Sequence, residues 1–146
     1  MNKANLQEIE ASVREALKGV EVPWGIEYEC GVHSFQVRCS LQHKTRGEEF
    51  FVFLRFLNDY TYSLRIAYDH IELTPQVARL INDLHASQAS STLNVFVSES
   101  GYLTVRQCGR FYAEDYAGLF AHESLRQVFD LVEKPEFQEL LALTTK

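Results

Sequence analysis

The chain has 146 residues, 46% of them hydrophobic and 12% aromatic, enough apolar material for one core and too little length for two independent ones. Its 20 acidic residues against 14 basic ones give a formal charge of -6, and the basic residues look scattered, with Lys44 and Arg46 in one turn and Arg106 and Arg110 near another. This balance excludes a disordered segment and disfavours a phosphate-tracking surface, so no nucleic-acid partner is expected.

Leu6, Ile9, Val13, Ala16 and Leu17 recur every three or four residues, which predicts an amphipathic helix that Gly19 ends. After Pro23 the period changes to two. Residues 24–30 alternate through Ile26 and Tyr28, Gly31 supplies a turn, and Phe35, Val37, Cys39 and Leu41 alternate with polar residues, which predicts a hairpin. In the next run Phe50, Val52, Leu54 and Phe56 share one face while Phe51, Phe53, Arg55 and Leu57 share the other. Both faces are largely apolar, so this strand is expected to be central or covered on both sides. Asn58 and Asp59 then turn the chain into Tyr60, Tyr62, Leu64, Ile66 and Tyr68. Four consecutive strands without a helix between them imply an antiparallel meander.

Thr74 followed by Pro75 is a helix start, continued by Val77, Leu80, Ile81 and Leu84. A polar loop over 87–91 leads to Leu93, Val95 and Val97, a turn over 99–101 and a returning strand over 102–108, which together predict a second hairpin. From Asp115 onward Leu119, Phe120, Leu125, Val128, Phe129 and Val132 fit one helix or two short ones, with Gly118 as the weak point, and Pro135 opens a last helix through Phe137, Leu140 and Leu141. The reading is a single α+β domain over 1–146, an antiparallel sheet with flanking helices in the order α-β-β-β-β-α-β-β-α(-α).

Chemistry-bearing patterns are sparse. Cys30, Cys39 and Cys108 form no CxxC or Cys/His spacing, and an odd number is no self-contained disulfide framework. Neither adjacent pair of possible ligands, Asp69 with His70 or His122 with Glu123, can converge on a metal, because neighbours in sequence point apart. Signatures for acyl transfer, nucleotide binding and zinc proteolysis are missing, so no catalytic residue, no metal and no cofactor is expected. The acidic start of the chain does not read as a signal peptide, and no run nears the roughly 20 apolar residues of a membrane span. A cytoplasmic protein with no membrane partner is expected.

Aromatic residues are the best candidates for contact with a partner. Tyr60, Tyr62 and Tyr68 on one strand, with Trp24, Tyr28, Phe51 and Phe53, could pack ordinary sheet faces or present rings to another protein. These seven are the candidate partner-contact residues.

The run Val77-Ala78-Arg79-Leu80-Ile81-Asn82-Asp83-Leu84-His85, the segments Leu93-Asn94-Val95-Phe96-Val97 and Gly101-Tyr102-Leu103-Thr104-Val105-Arg106, and the stretch over 125–132 resemble the YbjN family of bacterial regulators. The fold of that family is similar to that of type III secretion chaperones. The resemblance implies helices packed on a sheet, no cofactor, no catalytic residues, and a homodimer that docks an extended or helical segment of a protein partner. Two other classes fit the composition: an acidic immunity protein neutralising a toxin partner, and a small-molecule-binding domain built on the aromatic face.

Overall fold

Alternation in six segments produces one six-stranded antiparallel sheet, because each strand offers one apolar face that only a shared core can remove from water. The computed structural model describes residues 3–20, 25–44, 46–87 and 92–145. In chain order the elements are α1 (Leu6–Leu17), β1 (Gly25–Cys30), β2 (Ser34–Gln42), β3 (Glu49–Leu57), β4 (Thr61–His70), α2 (Pro75–Ser87), β5 (Asn94–Val97), β6 (Tyr102–Arg110), α3 (Tyr116–Val132) and α4 (Pro135–Ala142). The strands lie in the order β1-β2-β3-β4-β6-β5. The expected α+β class, meander and second hairpin are all present.

Local chemistry fixes the ends of the helices. The Asn5 side chain accepts hydrogen bonds from the amides of Gln7 and Glu8, satisfying two free donors at the start of α1, and Gly19 takes a φ of +83° just beyond its end. Thr74 Oγ1 accepts from the Val77 amide at 3.2 Å, and Pro135 occupies the first turn of α4.

All four helices lie on the same side of the sheet. Phe35, Val37, Leu41, Val52, Leu54, Phe56, Leu64, Ile66 and Val105 point into that side and are fully buried. Phe120 of α3 stacks on Tyr62 and Phe137 of α4 meets Tyr68 edge-on, while α1 crosses β1, β2 and β3. The side chain of His85 in α2 accepts the Val95 amide at 3.0 Å, so the helix covers the edge of β5.

Two expectations left alternatives open, and the structure selects between them. β3 is central, yet only its Phe50 face is covered; Phe53 on the opposite face is 47% exposed, because no element of the described chain returns over that side. Gly118 does not break the last long helix, since α3 runs unbroken through it. Its missing side chain serves close approach: a Cβ there would overlap the Ser12 carbonyl oxygen of α1, and the Gly118 amide instead donates to Ser12 Oγ at 3.0 Å.

Candidate functional site: the uncovered face of the sheet

Strand parity sends two kinds of residue to opposite sides, and register then decides which residues of the open side become neighbours. Across the middle of the sheet Glu27 pairs with Arg38, Arg38 with Phe53, Phe53 with Arg65, Arg65 with Arg106, and Arg106 with Asn94. The next row outward is Glu29, Gln36, Arg55, Ser63 and Cys108. Arg110 lies opposite Thr61 at the end of β6. Arg38, Arg55, Arg65, Arg106 and Arg110 thus share one face and are all exposed. This overturns the impression of scattered basic residues: they are far apart in sequence and adjacent across strands.

The arginines are not equivalent. Arg38 forms an ion pair with Glu27 at 3.5 Å and lies 4.3 Å over the Phe51 ring, so its charge and that ring already satisfy each other. Arg110 acts on Asp59, whose carboxyl is held below its usual range first by the Thr61 hydroxyl and to a lesser degree by this guanidinium. Among the described residues, none of Arg55, Arg65 and Arg106 has a carboxylate within ion-pairing distance. These three line a trough of about 480 Å³ together with Phe53, Ser63 and Phe96. The carboxylates of this face stand at its margin, Glu27 and Glu29 on β1 and Glu49 at the start of β3.

Of the six aromatic candidates among the described residues, Phe51 and Phe53 lie on the open face, and of those two Phe53 offers an uncovered ring. Tyr62 is only 9% exposed and sits between Phe56 and Phe120, so it is a core residue. Tyr68 also faces the helices, packed on Phe50 and Phe137, and burial pushes its hydroxyl well above the ordinary range. Tyr28 is half-buried between Phe35 and the Arg14 guanidinium of α1. Tyr60 works as a clamp: its hydroxyl donates to Glu114 at 2.9 Å, and Glu114 also accepts the Asn5 amide, tying the β3–β4 turn to the starts of α1 and α3. Both hydrogen bonds, that from Asn5 first, hold the Glu114 carboxyl below its usual range. Trp24 lies outside the described residues.

Sequence reading missed Arg55, Arg65, Arg106 and Phe96. Parity alone places each arginine opposite the core of its own strand, but the register that makes them neighbours depends on long-range pairing.

The cysteines and histidines do not assemble. Cys39 is buried and its thiol is pushed up to about 12 by loss of solvent, while Cys30 and Cys108 are exposed. His43 is buried against Phe50 and Tyr68, His70 stacks on Tyr102, and His85 holds the β5 edge. Among the described residues no cluster of three possible metal ligands occurs, and no helix is long and apolar enough to cross a membrane.

The chain matches no family model, no curated protein and no solved structure.

Proposed function

We propose that this chain is a non-enzymatic, chaperone-like binding domain that docks a segment of a protein partner on the uncovered face of its sheet. The observation that carries the reading is Phe53, a large ring 47% exposed at the centre of a six-stranded sheet, with Arg55, Arg65 and Arg106 beside it and no carboxylate within ion-pairing distance of those three among the described residues. Aromatic and arginine side chains dominate the energetic centres of protein interfaces, and a flat face of this kind gives a partner both area and charge-assisted hydrogen bonds. The YbjN-like resemblance of the second helix and second hairpin supports the same class of function.

The charge pattern argues against a second copy on this face. A two-fold contact centred on the trough would bring the arginine cluster of one copy against that of the other, a like-charge juxtaposition that disfavours pairing. The homodimer that the resemblance implies would need another surface.

The test is a paired capture experiment with the immobilised wild-type chain and the Phe53→Asp variant. Proteins retained by the wild type and lost from the variant support the reading, and hydrogen exchange in the complex should show slowed exchange on β3, β4 and β6. Equal retention by both proteins would move the docking surface elsewhere.

A further inference from the structure

Resting on the docking reading above, we infer that the segment bound by the open face is acidic: an apolar side chain seated on Phe53, flanked by Asp or Glu carboxylates that pair with Arg55, Arg65 and Arg106.

The geometry starts from a repulsion. Arg65 and Arg106 are direct cross-strand partners, and Arg55 is opposite Ser63, two residues before Arg65 on the same strand, which makes it a diagonal neighbour. Side chains directly opposite on an antiparallel pair stand about 4.5–5.5 Å apart at Cβ, and like charges there destabilise the sheet. A chain with net charge -6 has ample carboxylates, yet those on this face lie at its margin, away from the three arginines. An anionic ligand relieves that repulsion on binding, so its affinity includes an electrostatic gain that a neutral ligand lacks. The planar guanidinium forks match a carboxylate in two parallel hydrogen bonds, a geometry lysine cannot supply.

The extent of the site decides between kinds of anion. A single strand of nucleic acid needs a basic track several nucleotides long and successive rings for base stacking. Here the track stops after two strand spacings, since Glu27 and Glu29 occupy the β1 side, and the Phe51 ring is already covered by Arg38. What remains is the Phe53 ring and the half-buried Phe96 ring with three guanidiniums around them in a trough of about 480 Å³, too short a run of rings and charges for a strand of several nucleotides. That fits a short protein segment with one apolar anchor and a few carboxylates.

Fluorescence anisotropy with the full chain tests this, using a labelled short peptide of alternating Glu and Leu, its Gln/Leu counterpart, and labelled oligouridylate, with inorganic pyrophosphate as competitor. The Glu/Leu peptide should bind and the Gln/Leu peptide should bind at least about tenfold more weakly. Arg65→Glu or Arg106→Glu should each weaken the acidic peptide about 10- to 100-fold, the effect of losing a charge-assisted pair. Because both side chains are exposed, these variants keep the fold. Equal binding of the two peptides overturns the acidic assignment and leaves the docking reading intact. Tighter binding of oligouridylate, or displacement by pyrophosphate at lower concentration than by unlabelled peptide, also overturns it, in favour of a phosphate-bearing ligand. If no probe binds, the acidic assignment falls; the docking reading falls with it only if Phe53→Asp also leaves partner capture unchanged.

Discussion

Arg65 of β4 and Arg106 of β6 are direct cross-strand partners, two like charges on adjacent strands of an acidic protein. Arg65→Glu converts the repulsion into an attraction across the same pair. We expect the variant to be more stable than wild type by about 0.5–1 kcal/mol while binding its partner less well. Chemical denaturation at low and high salt checks this, because the wild type should gain stability as salt screens the pair and the variant should lose part of its advantage.

Gly118 brings α3 onto α1 at the backbone of Ser12. In an isolated helix alanine is favoured over glycine by about 1 kcal/mol. Here the added methyl would overlap a carbonyl oxygen, so Gly118→Ala should destabilise by about 1–3 kcal/mol, opposite in sign to helix propensity. Thermal unfolding of the variant beside Gly118→Ser, expected to be at least as damaging, gives the comparison.

Gly109 faces Tyr62 across β4 and β6, and a Cβ at Gly109 would stand 2.8 Å from the tyrosine ring. Tyr62 has little room to move, being packed between Phe56 and Phe120. Gly109→Ala should therefore destabilise by about 1–3 kcal/mol, and Tyr62→Leu in the same chain should recover part of that loss by freeing the ring's space. Urea unfolding of the two single variants and the double variant measures the coupling.

His43 is buried between Phe50 and Tyr68, and among the described residues neither ring nitrogen has a hydrogen-bond partner. Loss of solvent lowers its pKa from the ordinary 6.5, opposed by the nearby Glu133 and Glu48 carboxylates and reinforced by Arg46. A lowered pKa means that the unfolded chain binds the proton first, so stability is complete above about pH 6.5 and falls as the pH drops below it. The slope from this one group is at most about 1.4 kcal/mol per pH unit. Urea midpoints from pH 7.5 to 5 should fall for the wild type and change less for His43→Leu.

The buried Cys39 thiol, pushed up to about 12, should resist alkylation in the folded protein while Cys30 and Cys108 react. Mass spectrometry after brief iodoacetamide treatment should show two modifications, with the third appearing only in denaturant. Rapid modification of all three would mean that β2 opens readily.

Sequence by itself determined the element order. Period-two runs around Phe35, Phe56, Leu64 and Val105, helical spacing from Leu6 to Leu17, the Thr74–Pro75 start and the Pro135 start are local signals, and backbone geometry turns each into the same structure wherever the chain goes next. The tertiary structure alone decided how those strands align. Register made neighbours of Arg55, Arg65 and Arg106, buried Tyr62 and Tyr68 beneath α3 and α4, and left Phe53 uncovered because all four helices lie on the other side. A side chain's parity belongs to its own strand, whereas Arg65 and Arg106 become neighbours only through the β4–β6 pairing, with α2 and β5 between the two strands in sequence, and that pairing energy is not a property of any local segment.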